Sequence, residues 1–245
     1  MGRAFEYRKA SKLKRWGAMS KLFPKLGKII TIAAKEGSPD PDMNPRLRTA
    51  ILTAKAQNMP KHNIEAAIQR ASGKDSIDIK ELHYEAKGPY GTQFIIDCAT
   101  DNGTRTVANV KAALTRNSAE MLTTGSLNFM FTRKSVFTFD KTETMDIEEL
   151  ELELIDAGLE EIEEDIEPQE DADDKKIIRI FGEFSSFGDL SKALEEMNIE
   201  VTKGQHQYIA NTPIELSDEQ MEEVDVLIDR LEEDEDVQAV YTNIN

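Results

Sequence analysis

The chain is short of the residues that most reactive chemistry draws on. It has one cysteine, Cys98, one tryptophan and three histidines in 245 residues. A single cysteine excludes an intramolecular disulfide framework and suits a reducing cytosol. His62, His83 and His206 are scattered, with no metal-ligand spacing between them. No Gly-x-Ser-x-Gly elbow occurs. With 47 acidic residues, paired carboxylates arise by abundance alone and carry no specificity. The expectation is a protein that is not an enzyme, with no catalytic residue, metal, cofactor or small-molecule substrate. Long apolar runs are missing as well. The longest notable one, Ile29 to Ala34, fits a helix face rather than a membrane span, so no membrane partner is expected. The basic N-terminus has no apolar h-region, so no secretory signal is expected. A mitochondrial presequence is set aside because the basic character continues into the first helices. A cytoplasmic location follows.

What the chain has is charge, unevenly placed. The net charge is −17 and the sequence pI about 4.7, which alone argues against a nucleic-acid partner. Yet residues 1–76 hold 16 Lys+Arg against 6 Asp+Glu, and the remainder holds 14 against 41. A division of this kind suggests that one part seeks a polyanion.

Residues Met1 to Trp16 interleave basic residues with Phe5, Tyr7 and Trp16. They read either as a free tail or as an arm meeting phosphates through Arg8, Lys9, Lys12, Lys14 and Arg15. A helix follows from about Ser20 to Lys35, with Pro24 in its first turn or marking its true start, and Gly37 as a C-cap. On its wheel Leu22, Leu26, Ile29, Ile30 and Ala33 share one face. Lys21, Lys25, Lys28 and Lys35 share another, with Ile32 intruding. Like charges on one face repel, which favours a polyanion partner. The stretch Asn44 to Ser72 then holds two helices. Leu47, Ala50, Ile51 and Ala54 form one apolar stripe, and Ile64, Ala67, Ile68 and Ala71 the other. Pro45 and Pro60 suit first turns, and Asn44 suits an N-cap. Arg46, Arg48, Lys55, Lys61 and Arg70 lie outside the stripes. Such faces are either simply solvated or the phosphate-binding side of a three-helix unit.

Beyond a linker, Leu82 to Lys87 and Gln93 to Ala99 read as strands joined by a Gly-Pro-Tyr-Gly turn, with Cys98 facing a core or sheet surface rather than acting as a nucleophile. The segment TDNGTRT leads into a helix to Arg116, and a cap by Asp101 or Asn102 is favoured there over a bound phosphate. Strands, helices and strands from Ser135 to Thr202 follow the β-α-β-β-α-β ferredoxin-like order. The tail adds a strand around Gln207 to Ala210, a helix capped by Ser217 and Gln220, and a strand from Val237 to Thr242. Pairing the tail with the strands at Leu82 and Gln93 makes the ferredoxin-like part an insertion. Between Asp146 and Asp174 there are 16 acids and no Lys or Arg. That run reads as a solvated acidic hairpin, since DIEPQEDADD lacks the glycine and terminal glutamate of a calcium loop.

The fold expected is α+β with three domains. These are a basic N-terminal three-helix domain (1–76), a middle α/β domain with an antiparallel sheet (77–131 and 208–245) and an inserted, acidic ferredoxin-like domain (132–207). The stretches AAKEGSPDPDMNPRLR, NPRLRTAILTAKAQNMPKHNIEAAIQRA, HYEAKGPYG, ATDNGTRTVANVK and GSLNFMFTRK occur in the order found in the YebC/PmpR family, which the chain resembles. The resemblance implies a three-domain fold with a helical N-terminal domain and no catalytic residues. It also implies a DNA-binding transcriptional regulator or a ribosome-associated factor that relieves stalling at proline stretches. The departures are a missing Gly-His-Ser-Lys-Trp start, His62 where an acid is common, and Asn117-Ser118 where a glycine pair is common. The partner expected is thus nucleic acid, either duplex DNA or ribosomal RNA.

Overall fold

The structure is a computed structural model that describes residues 19–72, 78–143, 145–167 and 175–245. Its α+β fold divides into two compact units. One takes Met1–Lys28, Ile77–Thr132 and Tyr208–Asn245, the other Ile29–Ser76 and Arg133–Gln207.

In the first unit four strands form an antiparallel sheet. These are β1 (Lys80–Lys87), β2 (Gln93–Thr100), β3 (Glu120–Met121) and β8 (Val237–Thr242), in the order β3-β1-β2-β8. The tail strand β8 pairs with β2, as the sequence led us to expect. Alternation decides what β2 does with its side chains. Phe94, Ile96 and Cys98 point into a core with α4 (Gly103–Arg116) and α7 (Asp218–Glu232), and Ile95 joins Leu127 and Phe131 in a separate cluster. Both helices start on readable caps. Asn102 accepts from the amide of Arg105, so the TDNGTRT turn is a cap. Ser217 and Gln220 form a full capping box.

A second sheet holds β4 (Phe131–Asp140), β5 (Leu159–Glu167), β6 (Lys175–Glu183) and β7 (Val201–Ala210) in the order β5-β6-β4-β7, and it belongs to the second unit apart from residues 131–132 and 208–210. With α5 (Ile147–Ile155) after β4 and α6 (Phe187–Glu196) after β6, this is the split β-α-β ferredoxin-like topology. Its core is Phe137, Phe139, Leu150, Leu154, Ile178, Ile180, Leu190 and Leu194. Two strands expected near Ile199 and Gln207 are one ten-residue strand, β7. Gly204, Gln205, His206 and Gln207 interrupt its apolar pattern, because that stretch is half-buried rather than clearly faced. The edge strand β5 is dense in glutamate, which blunts an exposed sheet edge against pairing with other chains. The stretch weighed against a calcium loop lies largely outside the described residues, which end at Glu167 and resume at Lys175.

The same unit holds the end of α1 (Met19–Glu36), with α2 (Pro45–Ala56) and α3 (Lys61–Ser72). Asn44 organises their junction. Its Oδ1 accepts from Leu47 N at 3.1 Å, and its Nδ2 donates to the carbonyls of Ala33 and Ser38, each at 2.8 Å. One side chain therefore caps α2 and ties down the end of α1. Gly37 is small because a Cβ there would lie 2.7 Å from Asn44 Nδ2. Pro24 sits inside α1, neither in its first turn nor at its start as the sequence suggested, and there it removes one backbone donor.

Candidate nucleic-acid interface

The cations proposed for phosphate binding fall into different settings. Arg8, Lys9, Lys12, Lys14 and Arg15 lie outside the described residues, and Lys21 belongs to α1 by its backbone. Lys25 and Lys28, in the first unit, turn to the carboxyl end of α7. Lys25 Nζ donates to the Glu232 carbonyl at 2.8 Å, and Lys28 Nζ to the Glu235 carbonyl at 2.9 Å and to Asp236 Oδ1 at 2.7 Å. The orphan carbonyls and negative dipole end of a helix C-terminus attract cations in this way. These two lysines therefore serve the fold. The lysine stripe read from the helical wheel is also discontinuous. Ile32, between Lys28 and Lys35 on that face, is buried along with Ile30, Thr31, Ala33 and Ala34.

In the second unit Lys35, Lys55, Lys61 and Arg70 are exposed. Lys61 lies 3.7 Å from Glu65, an exposed pair one helical turn apart that is worth little in water. Arg70 donates Nε to the Ala66 carbonyl of its own helix. Arg46 pairs with Glu36 and Arg48 with Glu195 on α6. Arg48 is thus part of a seam that docks α2 on the ferredoxin-like part. In that seam Thr49 Oγ1 meets Ser191 Oγ at 3.5 Å, and Gly204 N donates to Thr53 Oγ1 at 3.4 Å. A Cβ on Gly204 would overlap Thr49 Cγ2 and lie 3.0 Å from the Phe137 ring, so the helix closes on the strand only over glycine.

One polar cluster escaped the sequence reading. Asp236, 2% exposed, accepts from Lys28 and also from Arg105 Nη2 at 2.8 Å, Thr106 Oγ1 at 2.9 Å and Thr100 Oγ1 at 3.1 Å. Burial alone would raise its pKa. Donation from Lys28, Arg105 and Thr106 outweighs that and holds the carboxyl at about 2. The tail thereby explains the Thr and Arg of the TDNGTRT stretch, which sequence spacing could not do across more than a hundred residues. Cys98 is buried as expected. Burial, with Asp97, Asp234 and Asp236 nearby, pushes its thiol up to about 12, far from a nucleophile. Among the described residues no group of three or more His, Cys, Asp or Glu is placed to hold a metal ion, and no helix is long and apolar enough to cross a membrane.

Residues 3–74 match the family model for the TACO1/YebC protein N-terminal domain, and residues 79–244 match that for the TACO1/YebC second and third domain. The chain belongs to the TACO1/YebC family. This TACO1/YebC protein is 71% identical to a "Probable transcriptional regulatory protein" of Sulfurovum sp. (strain NBC37-1), and 62% identical to one of the same name from Sulfurimonas denitrificans, each over the whole of both chains. Its fold is similar to the crystal structure of a conserved hypothetical protein, Aq1575, from Aquifex aeolicus. The TM-score is 0.76 at 30% identity, over 92% of this chain and 90% of that one.

Proposed function

We propose that this TACO1/YebC protein is a nucleic-acid-binding regulator of gene expression, a cytoplasmic DNA-binding transcriptional regulator without catalytic activity. The names of its curated relatives support a regulatory protein in general terms. The finer reading rests on one observation. The first 76 residues hold 16 Lys+Arg against 6 acids in a chain that is otherwise strongly acidic. Neutralising phosphates releases condensed counterions, and this sequence-independent term dominates binding by such a surface. The candidate contacts are the arm residues Arg8, Lys9, Lys12, Lys14 and Arg15, together with Lys21, Lys35, Lys55, Lys61 and Arg70. Arg46 and Arg48 can join only by exchanging their carboxylate partners, and Lys25 and Lys28 only at a cost to the fold.

A second reading keeps these cations and exchanges duplex DNA for ribosomal RNA, in a factor that relieves stalling at proline stretches. It is favoured by the position of the charge. Residues 1–28 carry 9 Lys+Arg and one acid, whereas residues 29–72 carry 6 against 4. A cationic arm suits a structured RNA, which is read through backbone and shape.

The test is a salt titration of duplex DNA and of ribosomes with the wild-type chain and a Lys35/Lys55/Lys61/Arg70→Ala variant. Substitution at these exposed positions leaves the docked helices intact, which deletion of the helical region would not. Each lost phosphate contact lowers the slope of log K against log salt by about 0.9 on duplex DNA. An unchanged slope on both partners would remove these four residues from the interface. The absence of any salt-dependent binding would end the reading.

A further inference from the structure

The stretch Met121 to Thr132, MLTTGSLNFMFT, contains no Asp, Glu, Lys or Arg, in a chain that is 31% charged. Its backbone is held from beneath at several points. The buried Glu85 carboxylate accepts from Gly125 N at 2.6 Å and from Leu127 N at 2.7 Å, while the Glu85 carbonyl accepts from Leu122 N at 2.7 Å. Placing a carboxylate out of water to hold two loop amides fixes the loop's shape. Gly125 takes φ +92°, a left-handed conformation open to glycine. Leu127 and Phe131 are buried side by side with Ile95, and Met130 packs on them. On the other flank Asn211 clamps the strand entry. Its Nδ2 donates to the Phe129 carbonyl at 3.0 Å, its N to the Met130 carbonyl at 2.8 Å, and its Oδ1 accepts from Thr132 Oγ1 at 2.6 Å.

Between these anchors Phe129 points outward, 74% exposed. A slack loop would fold its phenyl ring onto the adjoining apolar cluster. This one is pinned on both sides of the ring, so the ring is presented to solvent. Asn128 beside it is exposed as well, and an asparagine amide can pair with a base edge. The loop itself carries no carboxylate, in an otherwise acidic part of the chain.

The geometry points to Phe129 as a stacking platform for an unpaired nucleobase, with the Asn128 amide placed to meet its edge. The inference rests on the nucleic-acid reading above and sharpens it. A base inside a duplex has both faces covered, so the ligand has a single-stranded, looped or flipped segment. Base–aromatic stacking tolerates any base, so little sequence preference comes from this contact.

The test uses the full chain with fluorescein-labelled oligo(rU), oligo(dT) and a fully paired rA·rU duplex, read by anisotropy. Phe129→Ala is expected to weaken the single strands about tenfold and to leave the duplex within about twofold. Phe129→Trp should restore single-strand binding, and Phe129→Leu should not, since a leucine keeps the apolar bulk and loses the flat face. When Phe129→Trp is combined with Trp16→Phe, the introduced indole is the sole tryptophan. Its emission should be quenched at saturation with unlabelled oligo(rU) and unaffected by the duplex. Equal single-strand affinity of the wild type and Phe129→Ala, or an unquenched indole on a bound strand, overturns the stacking inference and leaves the phosphate-binding reading intact. If the wild type binds none of the three probes, both fail together.

Discussion

Replacing Asp236 by Asn tests how the acidic tail is tied to α1 and α4. The carboxylate accepts from Lys28, Arg105, Thr106 and Thr100 while almost fully buried. An amide of the same shape loses the charge that Lys28 and Arg105 answer, and turns its own NH₂ toward one of them. Removing one partner from a buried, hydrogen-bonded charge cluster leaves the rest uncompensated. The depressed pKa sets the scale of the cost. A carboxyl held at about 2 instead of 3.8 contributes about 2 kcal/mol. Because the folded-state value is depressed, that contribution is complete above the unfolded-state value. It is lost as pH falls through 3.8 toward 2, with about half remaining near pH 3. At pH 7 Asp236→Asn should therefore lose about 3 kcal/mol, including the misplaced donor, and its urea midpoint should fall by about 1.5 M. Near-UV dichroism is a suitable probe, because Tyr84, Tyr90, Tyr208 and Tyr241 all belong to the unit that contains Asp236. The difference from wild type should narrow by about 1 kcal/mol between pH 7 and pH 3. A difference below about 1 kcal/mol at pH 7, or one of equal size at both pH values, would show that the cluster is not held by charge.

Gly204→Ala should cost about 1–3 kcal/mol, because its methyl would overlap Thr49 and crowd Phe137. The matching observation is faster hydrogen exchange across α2, and unchanged exchange there would refute the close approach. Cys98 should stay inert to a thiol reagent at pH 8 in the folded protein and react at once in denaturant, since its thiol is pushed up to about 12. Rapid labelling of the native chain would contradict its placement in the core.

Local rules carried the sequence reading far. Asn44, Asn102, Ser217 and Gln220 announce helix starts because a cap and its amide lie within three residues of one another. The ferredoxin-like order was legible because each element is a separate apolar pattern bounded by turns. What failed did so at long range. The wheel placed Lys25 and Lys28 outward, but their partners lie more than 200 residues away. The seam between α2 and β7 was invisible for a like reason. Gly204 reads as an interruption of a strand, and only the closeness of Thr49 gives it a purpose. The Phe129 loop fell between the two kinds of signal. Its motif stood out, but its exposure follows from Glu85 and Asn211, one upstream and the other downstream.

These corrections change what a net charge means for binding. A count over residues 1–76 treats every lysine as available to a phosphate. The structure separates cations that already have a carboxylate or a helix end from those that face water. Lys25, Lys28, Arg46 and Arg48 belong to the first group, and Lys55 and Lys61 to the second, where the exposed Glu65 pairing is too weak to compete with a phosphate chain. Counterion release scales with contacts made, not with charges owned. The salt slope measured on duplex DNA should thus fall short of the 16 cations in residues 1–76. The shortfall should shrink if Glu36 and Glu195 are replaced by glutamine, because Arg46 and Arg48 would then lose those two carboxylates. A slope that ignores those two glutamates would mean that the arginines already reach the nucleic acid, and that their ion pairs are no barrier to it.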